Sequence, residues 1–519
     1  MKSDDKRFLK QVLDKIKAFK TANHCASNIN PIDDEVTTQF QSILDKISDD
    51  AFDIFRFKKN LMKLWKEMLE KSIICLRFFD KREPFQEHED KVPYAYGVEK
   101  LYDYFLKYNN FEKMLYGGSE YYRDHMVHVF RVWIIGTDML LREKAKFLNS
   151  IKISDEFDIN GYEKLSIWTI IALTHDLGYP LEKALQIIDK TKDMMKCFIQ
   201  NPVLNLDLSF SGVQNTMNDF VLRFMSSKMW KVKNIDDSNL EYDKKDKDLK
   251  FYAARLQPKF YFKFQKSLEQ NKHGILSALL LYKMLLYFLE SDFNTNEDYA
   301  FEKEEARQFY MRREILRAIS SHTCQDVYQL HLYSFSLLLI IADNAQEWGR
   351  KQISELYVKK ATEYSFNGIK LNQQDGANIK CTLNEKYVIE ENDQLEQIFK
   401  QFIRISLNYN DWFRDGQDTG KRDFDFCKNT QIELKDGEVT KNIIVELNIS
   451  SNNASTITIQ YNKDECADLD IENILKKYFG DKINYNSEDT AQTRQFATCL
   501  VGDVKRFKEF KEFEKLICD

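Results

Sequence analysis

Apolar residues recur at helical intervals through the first two thirds of the chain. Residues 52–79, FDIFRFKKNLMKLWKEMLEKSIICLRFF, keep apolar side chains three and four positions apart, which predicts an amphipathic helix. Residues 1–119 therefore form a predicted N-terminal helical region. The helical pattern strengthens over 116–350, and one polar stretch at about 231–250 interrupts it, which predicts an exposed, flexible charged insertion.

The pattern changes after about residue 365. The segments NIKCTLNEKYVIE (378–390) and TQIELKDGEVTKNIIVELNISSNNASTITIQY (430–461) contain β-branched runs separated by turn-forming KDG and SSNNAS, which are typical of strands and hairpins. Helical periodicity returns at 470–479 and 504–517. We therefore predict a mainly α protein with a helical-bundle core over 120–364. An α+β region over 365–519 would serve regulation or oligomerisation.

Composition narrows the class of protein. The 519 residues include 43% hydrophobic and 30% charged residues but only 6 prolines and 16 glycines, which favours a globular, mainly helical chain. The net charge of -6 provides no global basic field for nucleic acid, although a local basic patch remains open. No segment approaches the roughly 20 apolar residues that span a bilayer, so we expect no membrane partner.

Cysteine usage and the first residues indicate the compartment. The nine cysteines are scattered and contain no CxxC pair, which is typical of a reducing compartment. The start of the chain, MKSDDKRFLKQVLDKIKAF, is a charged amphipathic segment without the apolar core of a secretory signal. The expected location is the cytoplasm.

Histidines and aspartates interrupt the most apolar helical segments. The run LSIWTIIAL (165–173), for example, ends directly in Thr174-His175-Asp176. Burying such groups is costly unless they are paired or bound to a metal. Each residue alone can be an ordinary core residue, but together they match what a metal site inside a helical bundle requires. Four histidines and two aspartates share this setting: His128, His175, Asp176, His273, His322 and Asp343.

Imidazole and carboxylate ligands indicate which metals to expect. They suit Zn, Mn, Fe, Co or Ni, and less readily Mg alone, with one or two divalent ions per chain. The adjacent pair His175 and Asp176 can supply a terminal nitrogen to one ion and a bridging oxygen to another.

The order of these residues resembles a known family. His128 in HVFRV, His175-Asp176 in THDLGYP and Asp343 after an apolar helix are similar to the H…HD…D signature of the HD-domain metal-dependent phosphohydrolase superfamily. His273 in KHGILSALLL and His322 in AISSHT resemble the extra histidines of its two-metal members. The resemblance covers roughly residues 120–350, and it implies an HD-type helical bundle as the core.

The resemblance implies a reaction and a role for each ligand. The reaction would be hydrolysis at phosphorus by metal-activated water. One metal site would comprise His128, His175, Asp176 and Asp343, and a second would be completed by His273 and His322. Asp176 would bridge the two sites and take part in catalysis.

Several side chains near these ligands are candidates for contact with the substrate. Positive charge is needed to offset phosphate charge in the transition state, and any one of these cations can instead be a solvated residue on a helix face. His125, three residues before His128, can share a helix face with it. It would then act as a proton shuttle, a partner of a ligand or a substrate contact, or else be an ordinary histidine. The candidates are Lys183 and Arg123 for catalysis, and Tyr179, Arg131, Arg312 and Arg350 for binding.

One position departs from the family pattern. Many deoxynucleotide triphosphohydrolases of the superfamily read HDLGH, with further catalytic histidines soon after. Here Tyr179 stands in the last position, and the next histidine is His273. The proton-donating histidines of that branch are therefore missing, although Tyr179 can still donate a hydrogen bond.

The sequence leaves several functions open. We expect an enzyme that hydrolyses a nucleotide, with a (deoxy)nucleoside triphosphate preferred as substrate. The alternatives are a cyclic-nucleotide or oligonucleotide phosphodiesterase, a single-strand nuclease, or a nucleotide-sensing protein without turnover. Residues 251–266, FYAARLQPKFYFKFQK, mix cations with aromatics and can line a nucleotide or single-strand path. A nucleotide effector and a homo-oligomer are further expectations from the fold analogy alone.

Overall fold

The computed structural model of the chain divides into two compact units. Unit 1 comprises Met1–Leu115, His125–Val327 and Tyr333–Ala342, and unit 2 comprises Tyr116–Asp124, Tyr328–Leu332 and Asp343–Asp519. The structure describes residues 4–23, 30–46, 58–76, 95–118, 124–199, 213–231, 252–290, 301–348, 362–373, 379–413, 422–436, 439–450, 455–462, 466, 469, 471–479, 484–487 and 494–500.

Unit 1 is built from helices, which confirms the mainly α prediction. None of the described helices is long and apolar enough to cross a membrane. The helices are α1 (Asp4–Ala22), α2 (Asp34–Lys46), α3 (Lys58–Leu76), α4 (Val98–Gly118), α5 (His128–Ser150), α6 (Gly161–Thr174), α7 (Tyr179–Met195), α8 (Val213–Ser226), α9 (Pro258–Glu269), α10 (His273–Met284), α11 (Leu286–Leu289), α12 (Lys303–Ser321) and α13 (Phe335–Ala345).

A short hairpin interrupts the helices where the sequence predicted helix and loop. Strands β1 (Ser227–Lys231) and β2 (Tyr252–Leu256) pair antiparallel, so Lys231 belongs to a strand and not to the predicted insertion. The rest of that insertion, residues 232–250, lies outside the described residues. Of the basic and aromatic stretch at 251–266, residues 252–256 form β2 and residues 258–266 belong to α9. Five-residue strands are too short for their burial pattern to stand out from a helical background.

Helix α6 lies at the centre of unit 1. It is apolar on every side and packs against α3, α5 and α12. Asn160 and Glu163 form a capping box at its start, where the Asn160 side chain accepts from the Glu163 backbone N–H and the Glu163 side chain accepts from the Asn160 backbone N–H. At its other end, the Trp65 indole N–H of α3 donates to the Leu173 carbonyl at 2.8 Å. These contacts fix the end of α6 that leads into His175.

Unit 2 contains a mixed sheet with helices, which confirms the predicted α+β C-terminal region. The strand order is β3-β4-β5-β6-β7-β9-β8, and all neighbouring pairs are antiparallel except β4 with β5. Helix α14 (Asn392–Trp412) provides the crossover that the parallel pair requires. The strands are β3 (Glu363–Gln373), β4 (Ile379–Ile389), β5 (Phe424–Asp436), β6 (Val439–Ile449), β7 (Thr456–Asn462), β8 (Asn484–Ser487) and β9 (Arg494–Leu500), with α15 (Ile471–Phe479) between β7 and β8. The predicted helix at 504–517 lies outside the described residues.

Candidate metal centre

Helix ends carry the predicted ligands of unit 1. His128 is the first residue of α5 and His273 is the first residue of α10. His175 and His322 are the C-terminal caps of α6 and α12. Asp176 follows in the tight turn between α6 and α7, which Gly178 and Pro180 close at the start of α7. Termini of several helices therefore meet at one buried point.

Backbone carbonyls set the tautomers of the two capping histidines. The Nδ1 atom of His175 lies 2.9 Å from the Ala172 carbonyl oxygen, and that of His322 lies 2.5 Å from the Ile319 carbonyl oxygen. Because a carbonyl only accepts hydrogen bonds, we assign the proton of each neutral ring to Nδ1. The Nε2 lone pair of each ring is then available as a metal ligand.

Asp176 divides its two carboxylate oxygens between two pairs of histidines. Its Oδ2 lies 3.4 Å from Nε2 of His175 and 3.7 Å from Nε2 of His128. Its Oδ1 lies 3.3 Å from Nε2 of His273 and 3.8 Å from Nε2 of His322. Two ligands that each lie about 2.1 Å from one ion are separated by roughly 3.0 to 3.4 Å, which matches the contacts of Asp176 with His175 and His273, while those with His128 and His322 are longer. The buried histidines and aspartate can therefore hold a metal ion.

Helix α13 places Asp343 in its last turn. One of its carboxylate oxygens lies within 4.8 Å of ligand nitrogens of His175 and His322. All six predicted ligands thus occur in groups that can hold an ion. The groups are His128, His175 and Asp176; Asp176, His273 and His322; and His175, His322 and Asp343.

The imidazole rings of His273 and His322 lie close enough to show whether a cation fits between them. Nε2 of His273 lies 3.1 Å from Nε2 of His322. Glu182 lies 2.7 Å from Nδ1 of His273, and a carboxylate accepts, so Nδ1 carries the proton in both neutral rings. Two lone pairs would then face each other and repel. A metal ion, or an additional proton, between the rings removes this repulsion, so the donor set fits a cation.

Burial and the surrounding histidines act in opposite directions on the Asp176 carboxyl, which is 4% exposed. Burial alone would raise its pKa, but the charge of His175 and the contacts with His322 and His273 outweigh burial and hold its pKa well below the usual range. The same balance at Glu182, where burial is opposed chiefly by His273, lowers its pKa to about 2. Both carboxylates are therefore ionised and available to cations at neutral pH.

The turn that carries Asp176 is held by side chains from two other helices. The Tyr104 hydroxyl of α4 donates to the Leu177 carbonyl at 2.6 Å. The Ser277 hydroxyl of α10 donates to the His175 carbonyl at 2.6 Å and accepts from the Gly178 N–H at 2.8 Å. The backbone groups on both sides of Asp176 are thus paired, which fixes the direction of its carboxylate.

Replacing Ser277 with alanine is expected to weaken both stability and metal binding. The change leaves a buried N–H and a buried C=O without their partner, at a cost of about 1–3 kcal/mol for each unpaired group. Thermal unfolding and a metal titration measure the two effects. Ser166→Ala is the control, because the buried Ser166 hydroxyl bonds only within its own helix, to the Tyr162 carbonyl. Equal metal affinity in both variants would contradict this role of Ser277.

Three of the predicted substrate-contacting residues lie together beside the candidate ligands. His125 precedes α5 and does not share its helix with His128, which corrects that expectation. Its ring stacks on Tyr179 with ring centroids 3.7 Å apart, and the Lys183 amine lies 5.3 Å from the Tyr179 centroid. His125, Tyr179 and Lys183 therefore form a group next to His273, whose ring centroid is 5.4 Å from that of Tyr179.

Two of the arginines that were predicted to bind the substrate contact acidic residues in unit 1 instead. Arg131 is fully buried, and its guanidinium donates to both oxygens of Asp5 at 3.0 and 2.9 Å. Arg312 lies 3.8 Å from Glu290, with its guanidinium 4.7 Å from the Tyr287 ring centroid. We therefore assign neither arginine to the metal centre. Arg123 and Arg350 lie outside the described residues.

Sequence reasoning missed a polar row on α4. Tyr104, Tyr108 and Glu112 are four residues apart and so share one face of the helix. Glu112 accepts from the backbone N–H of His125 at 2.8 Å, whereas Tyr104 reaches the residue after Asp176. Spacing alone revealed none of this, because the row looks like any half-buried helix face.

Tyr108 lies between these two anchors. Its hydroxyl is buried and has no hydrogen-bond partner among the described residues. Burial, together with the charges of Glu112 and Asp176, raises its pKa well above the usual range. The phenol is therefore neutral and keeps a proton to donate close to the metal centre.

Comparison with known proteins adds no family. No protein-family model matches the chain, no curated protein matches it, and no solved structure matches its fold.

Proposed function

We propose that the chain is a metal-dependent phosphohydrolase of the HD-domain type that acts on a nucleotide, with a (deoxy)nucleoside triphosphate as the preferred substrate. The observation that carries the proposal is the Asp176 carboxylate, whose two oxygens each face a different pair of histidines at 3.3 to 3.8 Å. A carboxylate in this position can bridge two cations, as two-metal phosphohydrolase chemistry requires.

The chain's residues can be assigned roles in this reaction. Divalent ions, when bound, would polarise a phosphoryl oxygen and lower the pKa of a water molecule. The ions would be held by His128, His175, Asp176, His273, His322 and Asp343. Glu182 orients His273 by accepting from both its backbone N–H and its Nδ1, each at 2.7 Å.

The group beside His273 is suited to the substrate. Lys183 and Tyr179 are partly exposed and can offer a positive charge and a hydroxyl to phosphate oxygens. His125, stacked on Tyr179, can move a proton to or from the leaving group. These three side chains replace the second histidine of the HDLGH pattern in this proposal.

Tyr108→Phe is expected to slow turnover without reducing metal content. The change removes one buried donor next to Asp176 and keeps the shape of the ring, so kcat should fall by about 10²-fold with little change in KM. Steady-state kinetics and elemental analysis check the two parts. Tyr287→Phe is the matched control, because its hydroxyl is also buried but belongs to α11. If both variants kept the wild-type kcat, Tyr108 would have no role in the reaction.

The substrate is tested with purified protein, Mn, Co or Mg, and a panel of nucleotides. Release of tripolyphosphate and nucleoside would support a triphosphohydrolase. No hydrolysis of any member, with the metal centre fully loaded, would contradict the enzyme proposal and favour a nucleotide sensor.

A phosphodiesterase is the second candidate, and the division of the Asp176 oxygens also favours it. Two cations bridged by one carboxylate can stabilise both the attacking and the leaving oxygen of a phosphodiester. The same panel, extended to cyclic nucleotides and short single strands, separates the two candidates, because a phosphodiesterase releases a monophosphate.

A further inference from the structure

Helix α12 carries two neighbouring arginines on one face. Arg313 and Arg317 are four residues apart, so their side chains lie one above the other on one face of the helix. Arg313 is only 6% exposed. Among the described residues neither guanidinium forms an ion pair, whereas Arg307 on the same helix contacts the Glu163 carboxylate at 2.6 Å.

The two guanidinium groups use few of their hydrogen-bond donors. Arg313 donates to the Ser227 carbonyl at 3.1 Å, and Arg317 donates to the Gln257 side-chain oxygen at 3.2 Å. Both acceptors are neutral, and the Nε atom of each arginine is shielded from solvent without an acceptor among the described residues. A guanidinium has five N–H donors, and the described residues give each of these two arginines one side-chain hydrogen bond.

Burial outweighs the negative charge of Glu314 at both arginines. Burial lowers the pKa of both guanidinium groups, and the charge of Arg313 adds to burial at Arg317. The Glu314 carboxylate acts in the opposite direction at both groups without outweighing burial, and the pKa of Arg317 falls to about 9. The facing helix α9 places the Phe260 ring 4.2 Å below Arg317. It also carries Lys259, whose charge adds to burial in lowering the pKa of Lys263. Two adjacent cations in such a setting are unfavourable unless an anion joins them.

The pair lies away from the metal centre. At about 100° per residue, Arg313 is about 180° and Arg317 about 140° around the helix axis from His322. The two arginines therefore occupy the side of α12 opposite to the ligand that caps it.

We propose that Arg313 and Arg317 form a phosphate-binding site between α12, α9 and the start of β1, distinct from the metal centre. A phosphate group has several acceptor oxygens, which can accept hydrogen bonds from both guanidinium groups. Guanidinium groups bind phosphate well because their planar arrangement of N–H donors matches its oxygens. The phosphate is either free or carried by a nucleotide.

The test is equilibrium dialysis of the full chain with inorganic phosphate and tripolyphosphate, at an ionic strength matched with chloride. Arg317→Gln should weaken binding by about tenfold or more. Lys303→Gln, which removes an exposed charge from the same helix, should leave binding unchanged. Arg317→Lys keeps the charge but loses the planar guanidinium, so it should give an intermediate loss of phosphate affinity. It replaces the glutamine variant if that variant does not fold. Binding that is equal in the wild-type chain and all three variants would overturn the site.

The melting temperature gives a second readout, because a binding site and a purely structural arginine predict changes in opposite directions. Without phosphate, Arg317→Gln should keep or raise the melting temperature, because it removes a repulsion between like charges. A lowered melting temperature with full phosphate binding would show a purely structural arginine and overturn the proposal. Phosphate binding should also persist in Asp176→Asn, so the experiment tests this site independently of the proposed enzyme activity. A nucleoside triphosphate that binds more tightly than tripolyphosphate would identify a nucleotide as the source of the phosphate.

Discussion

Asp176→Asn is expected to abolish metal binding and, with it, phosphohydrolase activity. The amide keeps the size of the side chain but loses the charge that faces His175 and His273 from its two oxygens at 3.4 and 3.3 Å. Without that charge the shared ligand of both cation positions is lost. We expect turnover to fall by at least about 10³-fold, equivalent to ~4 kcal/mol of transition-state stabilisation. Elemental analysis and steady-state kinetics measure the two losses.

The control for this variant is Asp193→Asn. Asp193 lies on α7 and contacts the Lys196 amine at 2.5 Å on the protein surface. Removing this charge should leave both metal content and turnover unchanged, because exposed pairs contribute little. An Asp176→Asn protein that keeps wild-type metal content would contradict the assignment of Asp176 as the shared ligand.

Gly178→Ala is expected to disrupt the centre by steric means alone. A Cβ atom at this position would lie 2.4 Å from the His273 carbonyl oxygen and 2.7 Å from Cβ of Leu276. Because these atoms belong to the start of α10, α7 and α10 must separate, which moves His273 away from Asp176. Overpacking of this kind costs roughly 1–3 kcal/mol, and metal affinity should fall with it. Chemical denaturation and a metal titration check the result.

Gly161→Ala separates this effect from a general cost of filling glycines. A Cβ at Gly161 would meet the edge of the Phe19 ring at 2.8 Å, far along α6 from the turn that carries Asp176. Some stability can be lost there, but metal affinity should not change. If Gly178→Ala kept full metal affinity, the close approach of α7 and α10 would not position His273.

The sequence predicted the helical character of unit 1 and the change to strands near residue 365, because helices and strands each produce a characteristic spacing of apolar residues. It also singled out candidate ligands, since His175 and Asp176 are polar residues directly after the very apolar helix α6. Such positions are rare enough to stand out in a single sequence. The structure adds how they meet, because helix ends from distant parts of the chain are brought together only by packing.

The supporting residues were not predictable in this way. Ser277 and Glu182 act through hydrogen bonds to backbone groups 102 and 91 residues away, and periodicity contains no information about such contacts. Arg131 looked like a phosphate contact because it follows His128, yet α1 supplies Asp5 as its partner. Closeness in sequence to a candidate ligand therefore placed His125, Tyr179 and Lys183 beside the centre but not Arg131.

The central claim is that the buried histidines and aspartates hold divalent metal. The most direct test is elemental analysis of the full chain after reconstitution with Mn, Fe, Co or Zn and removal of excess ions. We predict about two ions per chain, as expected for a bridging carboxylate, and loss of both in Asp176→Asn. A wild-type protein that retains no metal above the level of Asp176→Asn, with every ion tried, would contradict the account.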